Sequence, residues 1–147
     1  MSEHVSPEHE VPDGVDQATV DAVGKLTKAL ETTEWARGHL YAFHQLTGEG
    51  NRYVEEAIPM LRDAGHADWA DRLERELFGR NVLEGRWTFQ IVEEYDDGYW
   101  DLFRRLESEV RHDLTAGRRH LREAGMKEDQ RTHGAPGHSA TPDEERT

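Results

Sequence analysis

Apolar residues recur at helical spacing along most of the chain. Val20, Val23, Leu26 and Leu30, followed by Leu40 and Phe43, mark one face of a first helix over residues 15–46. Asp16 stands where an N-cap is needed. Gly48 and Gly50 follow, and two glycines so close together are expected to stop the helix. Val54, Ala57, Ile58 and Leu61 predict a short second helix over 51–64, kinked at Pro59. Gly65-His66 breaks that element, and Trp69, Ala70, Leu73 and Leu77 resume on one stripe that ends at Gly79. Val92, Tyr95, Tyr99, Leu102, Leu106, Val110, Leu114, Leu121 and Ala124 keep a 3.6-residue period, which predicts one unbroken helix over 87–124. No stretch alternates with the period of a strand. The expected fold is therefore all-α, an up-down-up helical bundle with two long helices and a broken middle helix. A helix of roughly 30 residues is about 45 Å long, more than a small three-helix monomer covers on every side. Self-association, as a homodimer, is expected to complete the bundle.

Composition locates the folded body within the 147 residues. Residues 1–14 hold four acids and three apolar residues and read as a flexible acidic arm, while 125–147 are polar, with glycine and proline, and read as a disordered tail. The helical domain is then 15–124, with about 41% apolar residues against 35% for the whole chain. All 12 aromatic residues lie between Trp35 and Phe103, where burial is expected to concentrate. The net charge is -13, of which the body carries -7. That sign opposes nonspecific attraction to nucleic acid or anionic lipid, so neither is an expected partner. With no cysteine, no disulfide, thiolate metal site or thiol nucleophile can form, and a reducing cytoplasm is the expected location. No apolar run has the length of a membrane span, and the acidic start lacks the pattern of a signal peptide.

Polar residues interrupt both long stripes. On the first helix the stripe continues into Glu34, Arg37, Tyr41 and His44; on the last it continues into Asp113 and His120, with Glu109 at its edge. If the two helices run parallel with their starts level, Arg37 comes near Glu109 and Tyr41 near Asp113. The plainest account is a structural ion-pair network, since buried charge is normally paired; a solvated groove and a pocket with acid–base chemistry are the others. Gly38 and Gly117 share these faces, where they allow close backbone approach or leave room for a ligand.

Specific chemistries find little support. Glu109-Val-Arg-His112 is the one Glu-x-x-His inside a predicted helix, the spacing a carboxylate-bridged metal site uses. In helix count and in that motif the chain resembles ferritin-like carboxylate proteins, which implies a metal-dependent enzyme with Glu109 and His112 as weak ligand candidates. His112 points away from the stripe. His39 and His44 stand about 140° apart round their helix and do not share an ion. No sequence feature identifies a cofactor, a phosphate loop or a serine nucleophile. Between Gly79 and Trp100, residues Arg86, Trp87, Tyr99 and Trp100 have the composition of an interface hot spot, with core packing as the plainer account. Arg111, Arg118, Arg119, His120 and Arg122 form a basic cluster suited to a helix C-terminus.

The expectation is a noncatalytic, self-associating interaction or regulatory protein. The alternative is a small-molecule or metal-dependent helical-bundle enzyme, its polar site built between the two long helices.

Overall fold

A seam repeating every seven residues runs along the longest helix. In the computed structural model, which describes residues 4–141, α1 spans Gln17–Asp63 without interruption. Val23, Leu30, Arg37, His44, Asn51 and Ile58 lie seven apart along it, and Leu26, Thr33, Leu40, Thr47, Val54 and Leu61 stand three residues after each. All of these except Asn51 are buried or half-buried. This is the alternating spacing of a coiled-coil core. It corrects the expected break at Gly48 and Gly50. A mid-helix glycine costs about 1 kcal/mol relative to alanine, and the seam resumes beyond the glycines with Val54, Ile58 and Leu61. The short second helix, Pro59 included, is the end of α1. At the other end the expected cap is present: Asp16 Oδ1 accepts the Thr19 N–H at 2.8 Å, which also holds the Asp16 carboxyl below its ordinary pKa.

The remaining elements are α2 Ala67–Glu76, α3 Thr88–Tyr95, a π-helical turn Asp96–Trp100, α4 Asp101–Thr115 and α5 Leu121–Gln130, with a 3-10 turn at Pro7–His9. Among the described residues no strand forms, and Leu83 and Arg86 make only an isolated bridge. The last helix expected over 87–124 is thus two pieces. It ends at Thr115 because Ala116 and Gly117 turn to φ +52° and +74°, the left-handed conformation that closes helices. The Gly117 N–H donates to the Arg111 carbonyl at 3.0 Å. Gly117 is therefore a helix stop and not a point of helix contact. α5 continues to Gln130, past the expected end at Ala124.

The chain divides into two compact units, Met1–Thr32 with Leu102–Thr147, and Thr33–Asp101. In the first, Val20, Val23, Leu30 and Leu121 form the apolar core. Beside them lies a buried pair, Glu107 at 5% exposure and Arg111 at 9%. Arg111 Nε donates to Glu107 Oε1 at 3.0 Å, and its guanidinium donates a second bond to the Gly117 carbonyl at 2.7 Å. Thr27 donates to the same carboxylate oxygen at 3.0 Å. The pair is satisfied on both sides, as burial requires. The N-terminal arm, expected to be flexible, is tied to the α4–α5 link: His9 Nδ1 bonds the Arg119 carbonyl at 3.0 Å, and Arg118 donates to the Glu10 carbonyl at 2.5 Å. Arg131, in the expected disordered tail, is buried and donates twice to Glu128, whose carboxyl it holds below the ordinary range. Residues 142–147 of that tail lie outside the described residues.

In the second unit Ile58, Ala70 and Val92 are buried. Arg62 clamps α2 to the end of α1 through Asp71 and through Glu74 at 2.7 Å. Past α2, Gly79 adopts φ +74°, and its N–H donates to Asn51 Oδ1 at 3.1 Å, tying the following loop to α1. Among the described residues no helix is long and apolar enough to cross a membrane.

Candidate functional site

The polar residues of the α1 seam find their partners within the second unit. Arg37 Nε donates to Asp96 Oδ1 at 2.7 Å and its terminal nitrogen to Oδ2 at 2.8 Å, a bidentate pairing. The Trp100 ring lies 4.5 Å from the same guanidinium and the Tyr41 ring 6.0 Å from it, both within cation–π range. The hydrogen bonds from Arg37 hold the Asp96 carboxyl below its ordinary pKa, and the same bonds raise that of Arg37. One seam turn further on, His44 Nδ1 and Thr88 Oγ1 share a hydrogen bond of 2.7 Å. Gln90 Oε1 accepts the Trp87 N–H at 3.0 Å and so fixes the start of α3. Both oxygens of Asp96 are thus engaged by Arg37.

Arg37 thus meets Asp96, where the sequence pattern pointed to Glu109. The helices are not parallel here: Arg37 pairs with Asp96, and the later His44 with the earlier Thr88. Within the second unit α3 and the π-helical turn therefore run antiparallel to α1, because the residues read as a first and a second helix are one continuous α1 and the chain returns along it. Glu109, Asp113 and His112 are exposed on α4, and Glu34 and Tyr41 are exposed on α1. His120 stands in the link at φ +57° as the residue before α5, not on a helix stripe. Of the basic cluster, Arg111 is consumed by Glu107, Arg118 by the arm, and the Arg122 side chain packs where a Cβ on Gly24 would meet it at 3.3 Å. Among the described residues, no group of three or more His, Asp or Glu is placed to hold a metal ion. The expected interface residues divide. Trp87 and Tyr99 are exposed, Arg86 pairs with Glu94 at 3.2 Å, and Trp100 is half-buried over Arg37.

A second feature of α1 went unread in the sequence. On the side away from the seam, Trp35 is 72% exposed, Leu46 65%, Tyr53 53% and Met60 69%. Together with His39, Ala42, Glu49 and Glu56 they follow alternating steps of four and three residues. That is again a heptad rhythm, about half a turn round the helix from the inner one. The signal was present at Trp35, Ala42, Leu46, Tyr53 and Met60, but a single-stripe reading assigns each helix only one apolar face. Arg52 bridges Glu49 and Glu56 at 3.7 and 2.5 Å, and the Tyr53 hydroxyl donates to Glu49 at 2.8 Å, so the polar members of the outer seam are ordered against it. No known protein family, curated protein or solved structure matches this chain.

Proposed function

We propose that the protein is a noncatalytic interaction protein that works as a homodimer, two copies joining antiparallel along the outer seam of α1. The observation that carries this reading is the outer seam: four large apolar side chains, each more than half exposed, at coiled-coil spacing over residues 35–60. A row of exposed large apolar residues of this kind suits an association surface. It is also self-complementary. About a twofold axis between Thr47 and Gly48, Trp35 faces Met60, His39 faces Glu56, Ala42 faces Tyr53 and Leu46 faces Glu49 of the other copy. Tyr53 then stands over the small Ala42, Trp35 and Leu46 stand over the unbranched side chains of Met60 and Glu49, and His39 stands over a carboxylate. A twofold interface of this type closes on itself and leaves no free seam. It is the self-association that the length of the predicted helices already called for, and the cysteine-free chain suits a reducing cytoplasm.

Cysteine cross-linking tests both the surface and the register, since the chain has no cysteine of its own. Ala42→Cys mixed with Tyr53→Cys is expected to give a disulfide-linked dimer on mild oxidation. Neither variant alone is expected to do so, because like positions are then about 16 Å apart along the axis. Efficient self-cross-linking of each variant alone would indicate parallel pairing, and no linkage in any mixture would remove the interface.

A further inference from the structure

The second unit contains a cavity of about 510 Å³ between α1 and the loop that follows α2. That volume is in the range of small-molecule sites. Val54, Leu77 and Trp87 give it apolar walls, and Asn51 and Arg80 bring polar groups to the same space. We propose that this cavity binds a small aromatic carboxylate, the ring lying against Trp87 and the carboxylate held by Arg80 with the amide of Asn51.

Three observations lead to that ligand. The first is charge. Arg37, Arg52, Arg62, Arg72 and Arg86 in this unit each hold a carboxylate of the chain. Among the described residues Arg80 and Arg75 have no such ion pair, and of these two only Arg80 lines the cavity. In a chain of net charge -13, an arginine left without an acid at a cavity wall is suited to an anion, and its planar fork matches a carboxylate. The second is donor orientation. Asn51 Oδ1 is already engaged by the Gly79 N–H at 3.1 Å, which fixes the amide and leaves its NH₂ group as a donor. The third is space. Gly38, Gly48 and Gly50 all lie inside α1 with nothing within 4 Å of where a Cβ would stand, and the latter two line the cavity. Neither is required by packing or by a positive φ, and each weakens the helix by about 1 kcal/mol relative to alanine. What Gly48 and Gly50 supply is room. Trp87, exposed and in edge contact with Phe89 at 5.4 Å between ring centroids, offers an aromatic surface to a flat ligand.

The test uses 2-naphthoate as the probe and 2-naphthylmethanol as its uncharged counterpart, each titrated into the full-length protein by calorimetry. The expected result is one 2-naphthoate bound per chain, with a shift of the Trp87 indole N–H signal in the NMR spectrum, assigned through Trp87→Phe. Arg80→Gln is expected to weaken 2-naphthoate about tenfold or more and to leave 2-naphthylmethanol unchanged. Gly48→Leu is expected to abolish binding of both while helix content by circular dichroism is kept or raised. The proposal is overturned by absence of 2-naphthoate binding at millimolar concentration. Binding that survives both Arg80→Gln and Gly48→Leu in folded protein also overturns it, since the probe is then elsewhere. Dimer mass is followed in the same samples, so loss of the outer interface is recognised separately from loss of the ligand.

Discussion

Replacing Arg111 by methionine isolates the energetics of the buried pair in the first unit. Methionine keeps most of the aliphatic stem but removes the charge, leaving Glu107 at 5% exposure without its guanidinium and the Gly117 carbonyl without a donor. Breaking a buried pair from one side costs about 3–5 kcal/mol, because an uncompensated charge remains. With a urea dependence of about 2 kcal/mol per molar, the unfolding midpoint is expected to fall by roughly 1.5–2.5 M. Circular dichroism follows the whole chain. Fluorescence follows only the second unit, which contains all four tryptophans, so loss at the first unit appears in the former signal. The double variant Glu107→Leu with Arg111→Met removes both charges, and the single Thr27 hydroxyl proton is then free to go to the Val23 carbonyl 3.1 Å away. It is expected to recover to within about 1 kcal/mol of the parent. A single variant costing under about 1 kcal/mol, or a double variant worse than the single, would refute the reasoning.

Asp96→Asn is expected to destabilise the protein at pH 7 by about 1–3 kcal/mol, the worth of a charge-assisted bond. Because Arg37 lowers the Asp96 pKa from its ordinary 3.8, this contribution is complete above that value and is lost as pH falls through the depressed one. The gap between parent and variant in urea melts should therefore close only in acid; a gap independent of pH from 7 to 2 contradicts the assignment. Gly117→Ala should cost about 1–2 kcal/mol, since φ is +74° there, whereas Gly48→Ala should stabilise the helix by up to about 1 kcal/mol; thermal melts that reverse this order sink the distinction. Association along the outer seam should strengthen with added salt, because two acidic copies repel less when screened, and sedimentation at 0.05 and 0.5 M salt reads this directly.

The helical class, the cap at Asp16, the break at Gly65-His66 and the buried positions Val20, Val23, Leu30, Ile58, Ala70, Val92 and Leu121 were legible from spacing. The rest of the expected core was not. Tyr99, Leu102, Leu106 and Leu114 are exposed, α4 buries Glu107, Arg111 and Thr115 instead, and none of the aromatic residues between Trp35 and Phe103 is buried. Arg37 and His44 were legible as polar residues on a buried face, but their partners were not. Asp96 and Thr88 reach Arg37 and His44 because α3 and the turn after it run antiparallel to α1, an order that follows from α1 continuing to Asp63 and that a regular period does not encode. Gly48 and Gly50 have the local propensity of helix breakers, while the heptad seam that resumes at Val54, Ile58 and Leu61 carries the helix past them. Gly117 is the opposite case. Its place on the apolar stripe of a continuous helix hid its role as the stop, which becomes clear only with the left-handed pair Ala116-Gly117.

The outer seam of α1 is the proposed surface that joins two copies, and sedimentation equilibrium of the parent protein beside Leu46→Glu tests it most directly. At micromolar concentration the parent is expected at twice the 16.9 kDa chain mass. Leu46→Glu, which places a carboxylate opposite Glu49 of the other copy, is expected at the single-chain mass with unchanged helix content. A parent that sediments as a monomer, or a Leu46→Glu variant that stays dimeric, would contradict it.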